Sequence, residues 1–203
     1  MASPKKRKTG YATAASASSE SEASLSSVDE QHGDNNSAAE CASHDQVECG
    51  WSSDVHHEIL SQALRRRQLG RTYKTLVKFM ACLTATLMKE YKLLSAPGKK
   101  VDYCIYLDPA YDTDDPGMGN LIDNLRSQLP LYSINITGEI SLLKMPLAIP
   151  IKIKRSGEGG DDAALQVATW LEAQMEFLYR LISRCASSRP SLDDIGFMPG
   201  LII

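Results

Sequence analysis

Val101-Asp102-Tyr103-Cys104-Ile105-Tyr106-Leu107 and, further along, Ile149-Pro150-Ile151-Lys152-Ile153-Lys154 are the two stretches whose reading decides the fold. The first is rich in β-branched and aromatic residues and reads as a buried strand. The second alternates. Ile149, Ile151 and Ile153 fall on one face, and Pro150, Lys152 and Lys154 on the other, because successive strand residues point to opposite sides. One face is therefore apolar, and the other ends in two lysines.

Around these strands the chain switches between helical and extended periods. Upstream, Ser52-Ser53-Asp54 offers N-cap residues before Val55, Ile59, Leu60, Ala63 and Leu64 at helical spacing, and Gly70 breaks the segment. Leu76, Met80, Leu83, Leu87, Tyr91 and Leu94 predict a second helix that stops before Pro97-Gly98. Asp108 to Gly119 reads as a loop and Asn120 to Gln128 as a short helix. Pro130 to Ile136 and Leu142 to Lys154 read as two strands joined by a turn near Thr137-Gly138. After the turn Ser156-Gly157-Glu158-Gly159-Gly160 comes the clearest helix, from Ala163 to about Arg184. Its expected apolar stripe is Leu165, Ala168, Leu171, Met175, Leu178 and Ile182; Asp162, Thr169, Glu172, Glu176, Arg180 and Ser183 make the wet face. Gly200 to Ile203 reads as a last strand. Helices, strands, helix and strand in this order predict an α/β domain.

The 203 residues, 43% hydrophobic and 23% charged, suit one soluble domain with a tail. There is no apolar run of the roughly 20 residues a membrane helix needs, and no apolar segment follows the N-terminus, so neither membrane insertion nor secretion is expected. Five scattered cysteines without a C-x-x-C pair suit a reducing compartment and read as core or bystander thiols. Charge is segmented: +4 over residues 1–10, −8 over 11–50 and +1 over 51–203. A nearly neutral body draws nucleic acid only through a local patch. Residues 1–47 read as a disordered tail, because nine Ser and eight Ala between Tyr11 and Val47 leave little apolar surface to offset ordering entropy. Within it, Lys5, Lys6, Arg7 and Lys8 follow Pro4 as a compact basic cluster. Such a cluster is either a solvated charge run or a segment read by a nuclear import receptor; the second reading places the protein in the nucleus, the first in the cytoplasm.

Searches for phosphate-binding glycine loops, a serine nucleophile elbow and H-E-x-x-H find nothing. His56-His57-Glu58 is not a metal motif, since adjacent helical residues diverge and neither histidine has another at i+4. What remains is an acid at the start of one strand (Asp102), a strand ending in Lys152-x-Lys154, Gln166 on the following helix, and Glu48 before the first helix. The stretches Glu48-x-x-Trp51-x-x-x-Val55-His56, Val101 to Cys104, Lys154-Arg155-x-Gly157-Glu158-Gly159, Leu165-Gln166-x-x-x-x-Trp170 and Pro199-Gly200-Leu201-Ile202 together resemble the fungal PD-(D/E)XK nuclease-like proteins. The resemblance spans about residues 48–203.

That resemblance implies a restriction-endonuclease-like mixed sheet flanked by helices, a further C-terminal strand beyond Ile203, and Mg²⁺ at the sheet's edge. It makes Asp102 and Glu48 metal ligands, Lys154 the lysine that orients water and offsets phosphate charge, and Gln166 the polar helix position. Mg²⁺ takes oxygen ligands, which is why the motif needs carboxylates. One residue departs from the motif. Its second acid falls on Lys152, a change of two charge units beside the expected metal. Glu158 in the turn is a candidate substitute, though turn chemistry alone also accounts for it. Asp102 can equally be a hydrogen-bond acceptor at a strand start, the lysine pair a solvated edge, and Gln166 a partner for a buried backbone group. The leading reading is a nuclease-like domain with an impaired metal site that binds DNA or RNA or serves as an interaction module. The alternatives are an active Mg²⁺-dependent phosphodiesterase with a relocated acid, and a protein scaffold with no nucleic-acid role.

With Pro4 to Lys8 intact, a fluorescent fusion of the chain above the passive pore limit is expected to concentrate in nuclei. Changing Lys5, Lys6, Arg7 and Lys8 to Ala should disperse it, and an unchanged distribution would remove the import reading.

Overall fold

The computed structural model describes residues 37–44, 48–65, 75–92, 100–154, 159–184, 191 and 195–203. Four strands form one mixed sheet in the order β1 (Val77–Ala81), β2 (Tyr103–Leu107), β3 (Leu147–Lys152) and β4 (Leu201–Ile202). The first three are antiparallel neighbours, and β4 runs parallel to β3. Helix α1 covers residues 37–43. Helix α2 (Glu48–Trp51) runs through a wider π-helical turn, Ser52–His56, into α3 (His57–Leu64), and α4 (Met118–Arg126) and α5 (Gly160–Ser183) follow. This is the mixed sheet flanked by helices that the sequence implies.

Strand alternation divides the interior into two layers. Leu60 of α3 packs with Phe79, Tyr103, Ile151 and Ile153 on one side. On the other, Cys104, Val101 and Leu147 join Trp170, Ala173 and Phe177 of α5, together with Ile136 and Leu142. Helix α5 opens with Asp161 and Asp162 and carries Arg180 in its last turn, in keeping with its dipole. Gly200 brings the chain hard against α5: a Cβ there would collide with the Val167 side chain. Glycine at this point is what lets β4 dock beside β3.

Several expectations are corrected. The helix expected from Leu76 onward is β1 and a series of turns; the part of it beyond residue 92 lies outside the described residues. Pairing with β2 outweighs the three-four spacing, burying Phe79 and leaving Leu83 59% exposed. Pro130 to Ile136 is not a strand. Pro130–Tyr132 is a 3₁₀ turn with Leu131 and Tyr132 both at φ 52°, and beyond it only an isolated antiparallel bridge, Leu87 with Thr137, joins the segment to another part of the chain in strand fashion among the described residues. Buried Asn135 donates to the Leu142 and Met145 carbonyls and accepts from the Leu147 N–H, so its side chain takes the place of a ladder. The strand expected from Leu142 begins only at Leu147. The stripe on α5 is rotated: Val167, Thr169, Trp170, Ala173 and Phe177 are buried, whereas Leu165 is 49% and Met175 36% exposed. Finally, α1 lies upstream of the expected boundary at Glu48, with Cys41 buried. Residues 1–36, Lys5 to Lys8 among them, lie outside the described residues.

The phase of α5 is checked by denaturant unfolding. Trp170→Ala should cost about 3–5 kcal/mol, as for a fully buried large aromatic. Leu165→Ser should stay within about 0.5 kcal/mol, as for a surface position.

Candidate functional site

Asp102 stands one residue before β2 and ties three strands together through its backbone and side chain. Its N–H donates to the Ile151 carbonyl at 2.9 Å, and its carbonyl accepts from the Cys82 N–H at 2.7 Å. Its carboxylate then reaches β3. The Ile153 N–H donates to Oδ2 at 2.7 Å. The Lys152 ammonium donates to Oδ1 at 2.9 Å and lies 2.8 Å from Oδ2. The two side chains are only 11% and 14% exposed.

Lys152 can reach this carboxylate because it ends β3 on the face opposite Ile151 and Ile153, which are locked into the α3 layer. In low-dielectric surroundings an ammonium centred on both carboxylate oxygens offsets much of the desolvation of each ion. The pair borders a cleft of about 620 Å³ lined by Ser52, Ser53, His57, Asp102, Tyr103 and Lys152, among others. The π-helical turn forms the opposite wall. The Tyr103 hydroxyl donates to the Ser52 carbonyl at 2.8 Å, and the His57 ring packs edge-on against Phe79 at 5.3 Å. His56 Nδ1 lies 2.9 Å from the Trp51 carbonyl. Each histidine thus turns to its own neighbours.

The expected site residues are only partly gathered. Asp102 and Lys152 meet. Lys154 sits two residues beyond, its N–H donating to the Ile203 carbonyl at 2.7 Å, with its aliphatic stem and ammonium beside Gly159 at the start of α5. Gln166 is half-buried on the second turn of α5, and no hydrogen bond joins it to Asp102 among the described residues. Glu48 opens α2; its side chain, like Glu158, lies outside the described residues. Ser52, Ser53, His57 and Tyr103 were not singled out from the sequence as lining a site. Only the family stretch running from Glu48 to His56 pointed toward that wall.

Mg²⁺ does not fit Asp102 in this arrangement. Both carboxylate oxygens are engaged by Lys152, and among the described residues no group of three His, Cys, Asp or Glu side chains is placed to hold a metal. At a screened dielectric near 20, unit charges ~4 Å apart repel by about 4 kcal/mol, and a dication beside the ammonium would meet about twice that.

An α/β domain with a mixed sheet and a cleft at the end of its central strands is the class these features define. A family model for the PD-(D/E)XK nuclease superfamily matches residues 2–203, and the chain belongs to that superfamily. Comparison with curated proteins and with solved structures gives no match.

Asp102→Ala removes the carboxylate against which a nearly buried ammonium lies and should cost about 3 kcal/mol by urea unfolding. The double change Asp102→Ala with Lys152→Met removes both charges and should cost less than Asp102→Ala alone. Simple additivity of the two single variants would show that the ions are not coupled.

Proposed function

We propose that this chain is a nuclease-superfamily module that binds nucleic acid at the cleft without cleaving it, and that it acts in the nucleus. The observation that carries the reading is the Lys152 ammonium seated on both oxygens of Asp102. In this proposal Lys152 occupies the position of the motif's second acid and supplies a fixed single positive charge in place of an exchangeable metal. Asp102 holds that lysine, Lys154 offers charge to a phosphate, and Ser52 and Ser53 line the approach. Hydrolysis needs an activated water and stabilisation of the charge growing on the phosphate. Lys152 is a proton donor without the open coordination positions that generate such a water. The basic cluster Lys5 to Lys8 supports nuclear import.

The test uses the purified full chain with single-stranded and duplex DNA and RNA. Binding should weaken steeply with salt, and no cleavage should follow addition of Mg²⁺ or Mn²⁺. Lys154→Ala should weaken binding uniformly across sequences and lower the salt slope by about 1. Cleavage by the unaltered protein, abolished by Asp102→Ala, would overturn the reading in favour of an active phosphodiesterase; absence of both binding and cleavage would leave the scaffold. Lys152→Glu examines the position itself. It should raise Mg²⁺ affinity, read by calorimetry, by orders of magnitude, and adding Asp102→Ala should remove most of the gain. A folded Lys152→Glu that binds Mg²⁺ no better than the unaltered chain would refute the placement.

A further inference from the structure

Five cysteines scattered along the sequence give no sign of pairing, yet the sheet brings two of them together. Cys82 follows β1 directly, and its N–H donates to the Asp102 carbonyl at 2.7 Å, which extends the β1–β2 ladder by one residue. Cys104 in β2 pairs with Met80, so the two cysteines sit diagonally across adjacent strands and on the same face. Their sulfurs are 3.0 Å apart, and the two residues are 22 positions apart in sequence. Both are free thiols, 1% and 0% exposed, in the layer beneath α5. A disulfide needs about 2.05 Å, so closure asks for roughly 1 Å of sulfur movement.

We propose that Cys82 and Cys104 are a dithiol that closes to an intramolecular disulfide when a small peroxide reaches it. One sulfur attacks a peroxide oxygen, the O–O bond breaks, and a sulfenic acid and one water (for hydrogen peroxide) result. The second sulfur displaces the sulfenic oxygen, which leaves as a second water. Two thiols and one peroxide thus give one disulfide and two waters, with two electrons passing from sulfur to oxygen. The partner sulfur in contact intercepts the sulfenic acid before further oxidation to sulfinic acid. The hydrogen bond from Cys82 and burial push the Cys104 thiol up, away from the nucleophilic thiolate, so the reaction is slow, and burial admits only small oxidants. The new bond ties β1 to β2 beside Asp102, shortening the free chain of the unfolded state and stiffening the end of the sheet that borders the cleft.

The full chain is treated with hydrogen peroxide beside an equal amount of glutathione as an internal standard. The peroxide is then quenched with catalase, and the protein is denatured, alkylated and digested. The expected product is a linked peptide joining Cys82 to Cys104, with a thermal midpoint raised by about 5–10 °C and restored by dithiothreitol. Cys82→Ala and Cys104→Ala should each lose the shift. The mapping on the unaltered chain stands alone if either variant fails to fold. The proposal is overturned if both cysteines are still recovered alkylated after a peroxide exposure about a hundredfold beyond the one that consumes the glutathione. It is equally overturned if they are recovered as separate sulfinic acids, or linked to Cys41, Cys49 or Cys185.

Discussion

Everything at the open end of the sheet depends on the carboxylate of Asp102 and the ammonium of Lys152. The carboxylate takes three contacts, two from the Lys152 ammonium and one from the Ile153 N–H, while its own backbone bonds bind β1 and β3 on either side of β2. Removing the carboxylate would take from the ammonium, 11% exposed, the anion it lies against at 2.8 Å. Removing the lysine would leave the carboxylate, among the described residues, with the Ile153 N–H alone. Paired, they are stable in a place where neither alone belongs. The pair also sets the charge at this end of the cleft, because the ammonium neutralises Asp102.

The surrounding packing holds this geometry from both sides. Ile151 and Ile153 are fully buried against Phe79, Tyr103 and Leu60, so β3 cannot rotate its lysines away without exposing two isoleucines. Exposing them would cost about 1.5–3 kcal/mol each, more than an ion pair at the surface returns. On the far side, Trp170 and Phe177 clamp the sheet under α5, and the missing side chain at Gly200 lets β4 close over Val167. The π-helical turn widens the helix where Ser52 takes bonds from both His57 and Tyr103. A local departure from α geometry of this kind is common where a helix borders a binding site.

The alternation of Ile149 to Lys154 is plain in the sequence, and Ile149, Ile151 and Ile153 do share the α3 layer. The acid ahead of β2 was equally legible, because a polar residue beginning an otherwise apolar run stands out. What pattern alone could not supply was partner choice. Val77 to Ala81 has apolar residues compatible with either period, and only the presence of β2 beside it decides for a strand. Asn135 sits in a run of β-branched residues, and its side chain satisfies three backbone groups that a strand would have paired. On α5, two apolar stripes are available. Trp170 and Phe177 take the core, since they bury more surface than Leu165 and Met175. Cys82 and Cys104 lie far apart in sequence, so their contact follows only from strand register. That the lysine pairs with Asp102 instead of facing solvent is likewise a tertiary fact.

Membership of the nuclease superfamily sets a chemical standard against which the pair can be judged. Metal-assisted phosphoryl chemistry requires hard oxygen ligands with open positions, and here the described carboxylate is occupied by a cation carried on the chain itself. The most direct measurement is a crystal of the full chain grown in Mn²⁺ and recorded with anomalous scattering. Lys152 seated on Asp102 predicts the ammonium within hydrogen-bond reach of both carboxylate oxygens and no anomalous peak beside them. A Mn²⁺ ion ligated by Asp102, with Lys152 swung away, would contradict it.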